Sequence, residues 1–139
     1  MDLYDAMSTL RAVRRLRPDP IDKEVIERVL TAATWAPTGG NTQPWRIVAV
    51  TDPAKKQALQ DLYSPHWDAY LPGYEARLEH MPEDAKSSSI KAMDAGNYLA
   101  SHMHEVPMIA VFCFNPNLMA ITDAKLDRPS VVGGGSVYP

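Results

Sequence analysis

Apolar side chains recur along this chain first at helical and then at strand spacing. Leu3, Ala6, Met7, Leu10 and Val13 predict a helix over residues 3–13, which Pro18 and Pro20 bring to an end. Asp22 stands where the N-cap of a second helix belongs. There Val25, Ile26, Val29, Leu30 and Ala33 form one face, expected to be buried, opposite Lys23, Glu24, Glu27 and Arg28. Residues 46–51, Arg46 to Thr51, are β-branched and nearly all apolar, which predicts a buried strand. Asp52-Pro53 then reads as N-cap and first turn of a third helix reaching about Tyr63.

From Ser64 to about Lys86 the pattern weakens. Pro65, Pro72, Gly73 and Pro82 interrupt it, and Trp67, Tyr70, Leu71, Tyr74 and Leu78 show no single period. The expectation is a surface excursion with a short helix near 74–80; the other reading is an aromatic segment that covers a ligand. Helical spacing returns over Ser87–Met103, with Ile90, Met93, Ala95, Tyr98, Leu99 and Met103 facing inward. Met108–Phe114 is the second strand, with Cys113 a small core residue in it, and Asn115-Pro116-Asn117 is a turn. Residues 118–132 are irregular, and Gly133-Gly134-Gly135-Ser136 reads as the run-in to a helix.

The fold class predicted is α+β. Two strands that are apolar on both faces call for cover above and below, and a two-stranded sheet alone is marginal in water. The expectation is therefore one domain over 1–139 that is incomplete at its carboxy end and needs another chain or further sequence to finish it.

Composition narrows the class. With 139 residues, 45% of them apolar and 22% charged, the chain suits a soluble globular domain. A net charge of −3 offers no general attraction to nucleic acid or to anionic membranes. No apolar run approaches the roughly 18 residues of a membrane span, and the start lacks a secretory signal pattern. A lone cysteine excludes an internal disulfide, and the expected location is cytoplasmic.

Two stretches carry candidate chemistry. The first is Ala36-Pro37-Thr38-Gly39-Gly40-Asn41-Thr42-Gln43-Pro44-Trp45. Its glycines permit φ > 0 or close approach of a ligand, its prolines fix the ends, and its hydroxyls and amides bond without charge. That suits a flat heterocycle with a polar edge; an ordinary helix-to-strand connection is the alternative. The second is the run Arg11, Arg14, Arg15 and Arg17. Guanidinium groups suit a phosphate, and they equally suit the solvated end of a helix. His66, His80, His102 and His104 have no usual metal-ligand spacing and are expected to be solvated or capping. No dinucleotide fingerprint, phosphate-binding P-loop, triad or repeat is present.

Taken in register, Arg11-Ala12-Val13-Arg14-Arg15-Leu16-Arg17-Pro18-Asp19-Pro20 and the Ala36–Trp45 loop resemble the amino-terminal part of the FMN-dependent nitroreductase family. The resemblance implies helices around a central, mainly antiparallel sheet, with about the first two thirds of the family's domain represented. It implies a flavoprotein oxidoreductase that passes electrons from NAD(P)H through FMN to nitroaromatic or quinone-type acceptors. It also implies a homodimer with sites shared between subunits. Arg11, Ala12 and Arg14 match the phosphate and ribityl stretch, and Pro37, Thr38, Gly39 and Asn41 match the loop beside the isoalloxazine. No residue is expected to act as a catalytic acid or base, since hydride transfer belongs to the flavin. Ala12 stands where the family often has serine, and Leu16 where an aromatic is frequent. The competing expectation is a non-catalytic remnant or interaction protein.

Overall fold

A computed structural model of the chain describes residues 2–119, 121, 123 and 125–128. They hold four α-helices and a two-stranded antiparallel sheet, an α+β composition as expected. The chain divides into two compact units, one made of residues up to Asp19 with Asp52–Pro107, the other of Pro20–Thr51 with the residues from Met108 onward.

In the first unit, α1 spans Leu3–Thr9, shorter than its apolar period predicts. Ser8 and Thr9 hydroxyls both donate back to the Asp5 carbonyl, a local bond that competes with helix continuation. Arg11 then donates from Nη1 to the Ser8 and Leu10 carbonyls, at 3.0 and 2.7 Å, which satisfies the helix end.

Helix α3 runs unbroken from Pro53 to Glu79, through both internal prolines, where the sequence predicts an excursion. Asp52 caps it as expected, its carboxylate accepting from the Lys55 N–H at 2.9 Å. Pro65 and Pro72 each remove a bond to a carbonyl four residues back, yet both lie on the exposed side, where water replaces it. The opposite side supplies the compensation. Ser64, Trp67, Leu71, Tyr74 and Leu78 are half-buried or buried and recur at alternating spacings of three and four, the period of a helix–helix seam.

Helix α4, Glu83–His102, presents the matching seam. Its buried residues are Gly96 and Ala100, whereas Ile90, expected inward, is 38% exposed. The six-membered edge of Trp67 lies where a Gly96 Cβ would be, 2.5 Å from Cη2. Trp67 Nε1 donates to Asn97 Oδ1 at 2.8 Å, and the Tyr74 hydroxyl donates to the Ser89 carbonyl at 3.2 Å. Beyond α4 a 3-10 turn, Met103–Glu105, is tied back to α3. Gln60 Oε1 accepts from both His104 N and Nδ1, and the buried Lys56 ammonium donates to the Val106 carbonyl.

In the second unit, α2 covers Lys23–Ala33. Asp22 holds the N-cap position but makes no side-chain cap bond. The apolar stripe is present, but none of its residues is buried, and Val29 is 56% exposed. Strands β1, Trp45–Val50, and β2, Ile109–Phe114, pair antiparallel with Trp45 opposite Phe114 and Val50 opposite Ile109. One face carries Trp45, Ile47, Phe112 and Phe114, the other Val48, Val50, Ile109 and Val111. The expected cover on both faces is only partial: Phe112, Phe114 and Val48 are about half exposed. Cys113, opposite Arg46, is exposed and not a core residue. Asn115-Pro116-Asn117 forms the expected turn, with Asn115 Oδ1 accepting from Asn117 N at 3.0 Å. The glycine run at 133–135 and the helix anticipated after it lie outside the described residues.

Candidate functional site

Between α2 and β1 the chain makes the loop that the paired prolines and glycines predict. Thr38 is extended, and a 3-10 turn over Gly39–Asn41 follows it. Backbone φ is positive at Gly40 (61°), Asn41 (54°) and Gln43 (47°). Glycine adopts this region at no cost, while asparagine and glutamine there must be held by their surroundings.

What holds them is a small polar network. Thr38 Oγ1 accepts from Gln43 N at 3.0 Å and from Gln43 Nε2 at 3.2 Å. Gln43 Nε2 also donates to Asn41 Oδ1 at 2.8 Å, and Asn41 N donates to the Thr38 carbonyl at 2.8 Å. The Thr42 hydroxyl closes onto the Gly39 carbonyl at 3.2 Å. Pro44 is buried, and its carbonyl accepts from Asn115 N at 2.8 Å, which anchors the loop to the end of β2. Pro37, Thr38, Gly39 and Asn41 thus form one preorganised turn, with the Asn41 side chain exposed. Gln43, read from sequence as one of the loop's uncharged polar side chains and not as a site residue, is the hub of this network. Its spacing from Thr38 gives no sign of that, because a positive φ at glutamine has no sequence signature.

The other candidates, Arg11, Ala12 and Arg14, belong to the first unit. The four arginines have four different neighbourhoods. Arg11 is exposed and uses Nη1 on the end of α1. Arg15 places its guanidinium carbon 4.2 Å from the centroid of the Tyr98 ring, a cation–π contact of roughly 0.5–1 kcal/mol. Arg17 pairs with Asp19 at 3.2 Å on the surface, where such a pair contributes little.

Arg14 is half-buried at a cavity of about 430 Å3, lined also by Tyr63, Trp67, Tyr70 and Tyr74 from α3 and Met93 from α4. Successive ring centroids in that row are 6.3, 5.6 and 5.8 Å apart. His66 also faces this cavity. His102 stacks on Tyr98 at 4.0 Å and His104 bonds Gln60, so both have structural partners.

Comparison with known proteins adds the wider context. A family model described as Nitroreductase family matches residues 9–132. The chain is 44% identical over 61 residues to an NADH dehydrogenase of Thermus thermophilus, a stretch covering 44% of this chain and 30% of that protein. It is 36% identical over 61 residues to iodotyrosine deiodinase 1 of Rattus norvegicus, covering 44% of this chain and 21% of the relative. It is 49% identical over 51 residues to a 5,6-dimethylbenzimidazole synthase of Rhodospirillum rubrum, covering 37% and 24% respectively. The matched stretches therefore span less than a third of these curated relatives. No helix among the described residues is long and apolar enough to cross a membrane.

Proposed function

The chain belongs to the nitroreductase family, and from that premise we propose that it is the amino-terminal part of an FMN-dependent oxidoreductase. The observation that carries this reading is the Thr38–Gln43 loop, whose hydrogen bonds hold Asn41 and Gln43 at positive φ and keep the Asn41 amide exposed. Strain of this kind persists where a backbone is preorganised for a ligand. Neutral amide and hydroxyl groups fit the polar edge of an isoalloxazine, and guanidinium groups fit a phosphate.

In this reading Asn41, Thr38 and the backbone at Pro37 and Gly39 orient the ring. Arg11 and the N–H of Ala12 take the phosphate, Arg11 with the donors that the end of α1 does not use. Arg14, half-buried in the same stretch, takes part in holding the phosphate and ribityl chain. When bound, FMN supplies hydride acceptance from NAD(P)H and its passage to a nitroaromatic or quinone-type acceptor; the protein binds, orients and tunes it. The relatives' names span a dehydrogenase, a deiodinase and a synthase, and so they single out no one acceptor for this chain. A homodimer fits the partly open sheet faces and the exposed apolar side of α1, where Leu3, Met7 and Leu10 are each about 70% exposed.

A second reading, a non-catalytic member that has lost flavin binding, is favoured by Ala12, which lacks the hydroxyl common at that position. Titration with FMN and FAD, followed by flavin fluorescence and by thermal melting, separates the two. The flavin reading expects FMN to bind more tightly than FAD and to raise the melting temperature. It expects Arg11→Ala to weaken FMN by roughly 1.5–3 kcal/mol. Tighter FAD binding, or no response to FMN, would sink it.

A further inference from the structure

The run from Arg11 to Asp19 carries no helix or strand, and its own bonds are short-range. Arg11 donates to the Ser8 and Leu10 carbonyls, Arg14 donates to the Ala12 carbonyl, and Arg17 pairs with Asp19. These bonds stay within neighbouring residues, so none of them fixes the run against the helices. Among the described residues, one hydrogen bond, ion pair or ring contact reaches from the run to another element. It is the Arg15 guanidinium carbon, 4.2 Å from the ring centroid of Tyr98 on α4.

Tyr98 is held for this contact by its own helix. His102, one turn further on, stacks on the ring with centroids 4.0 Å apart and planes 7° from parallel. The imidazole is itself fixed, because its Nδ1 donates to the Tyr98 carbonyl at 2.8 Å, a carbonyl being able only to accept. Tyr98 and His102 are both half-buried, whereas Arg15 is exposed. The ring is therefore the fixed platform, and the guanidinium is the mobile partner that settles on it.

We propose that Tyr98 is a positioning residue for the flavin phosphate, acting through Arg15; this rests on the flavin reading of the Arg11–Arg14 stretch. Arg15 follows Arg14 directly and lies within about 14 Å of Arg11 along even a fully extended chain. Pinning Arg15 restricts where Arg11, the Ala12 N–H and Arg14 can lie before a phosphate arrives. Order established beforehand need not be supplied on binding, so affinity for the phosphate-bearing flavin rises. Riboflavin, which has no phosphate, gains less from it.

The full chain and its Tyr98→Leu, Tyr98→Phe and Arg15→Gln variants are compared in two assays. One is titration with FMN and with riboflavin, the other brief trypsin digestion read by mass spectrometry. Tyr98→Leu removes the π face and keeps apolar bulk, Tyr98→Phe keeps the face, and Arg15→Gln removes the cation from an exposed side chain. Tyr98→Leu and Arg15→Gln should each weaken FMN about two- to fivefold with riboflavin unchanged, while Tyr98→Phe retains the preference for FMN. Cleavage after Arg11 and Arg14 should rise by a similar factor in the first two variants, because a run released from α4 opens to the protease more often. Equal losses of FMN and riboflavin would reduce Tyr98 to a structural role and overturn the proposal. Unaltered cleavage in Tyr98→Leu, or failure of Tyr98→Phe to behave as the unaltered chain, would overturn it too. No FMN binding by the unaltered chain would sink the flavin reading and this role with it, and the cleavage pattern would then still tell whether Tyr98 orders the run.

Discussion

Gly96→Ala sets two physical effects against each other at a single position. In an open helix the change would stabilise by about 1 kcal/mol, because alanine loses less backbone entropy. At Gly96 the new Cβ would stand 2.5 Å from Trp67 Cη2 and 2.6 Å from Cζ2, far inside van der Waals contact. Trp67 cannot swing aside cheaply. Its Nε1 is bonded to Asn97 at 2.8 Å, and Tyr63 and Tyr70 flank its ring at 6.3 and 5.6 Å. Overpacking of this kind costs about 1–3 kcal/mol, and loss of the Trp67–Asn97 bond about 0.5–1.5 more. The steric cost outweighs the propensity gain, and a net loss of roughly 1–3 kcal/mol is expected.

Gly73→Ala provides the control in the neighbouring helix. A Cβ there meets nothing within 4 Å, so the entropy gain stands alone and about 0.4–1 kcal/mol of stabilisation is expected. Urea denaturation followed by far-UV circular dichroism reads both, and equal m values certify that the midpoints report stability. In a Trp67→Leu background the obstructing ring is gone, so Gly96→Ala should turn neutral or stabilising, a coupling of about 2 kcal/mol. If Gly96→Ala stabilises as Gly73→Ala does, the helices do not approach through that glycine and the described α3–α4 seam is wrong.

Lys56→Ala should destabilise by about 1–3 kcal/mol, because it removes the donor from the buried Val106 carbonyl; a denaturation midpoint equal to that of the unaltered chain would show that the bond contributes nothing. Gln60→Ala removes the acceptor of two His104 donors and should cost about 1–3 kcal/mol in the same assay, while a change within error would mean that water replaces the amide. Thr38→Val deletes the acceptor shared by two Gln43 donors and should raise amide exchange at Gln43 about tenfold; unchanged protection would place control of the turn elsewhere. Asn41→Ala in an FMN-loaded protein should shift the flavin potential with little loss of affinity, and unaltered potential and turnover would reduce the loop to a connector.

Elements whose period is set locally were legible in the sequence. Strands β1 and β2 follow from two β-branched runs, α2 from its stripe, and the start of α3 from Asp52-Pro53. The continuation of α3 was not, because Pro65 and Pro72 break helices by default. Whether they do so here depends on which side of the helix they occupy. They fall opposite Trp67 and Leu71, so each missing bond faces water while the packed side stays regular. Gly96 was passed over for a related reason: a glycine within a helical pattern marks a close approach only once the partner, Trp67, is known. Burial was overestimated at Val29, Cys113 and Phe112 because apolar spacing tells which side of an element wants cover, and not whether anything covers it.

The candidate site divides along the same line. Paired prolines and glycines announce a turn between α2 and β1, and their own backbone preferences produce it. The positive φ of Gln43 and its two-ended role arise from Thr38 and Asn41, and no letter in the sequence records that. The arginine run carries the point furthest. Arg11, Arg14, Arg15 and Arg17 are alike in sequence, and their spacing alone left phosphate binding and a solvated helix end equally open. Contacts with residues near and far then give each a different role: the end of α1 for Arg11, the Tyr98 ring for Arg15, Asp19 for Arg17. Only Arg14 is left half-buried without a carboxylate among the described residues, which is the state expected of a guanidinium that the flavin reading reserves for the cofactor's phosphate and ribityl chain.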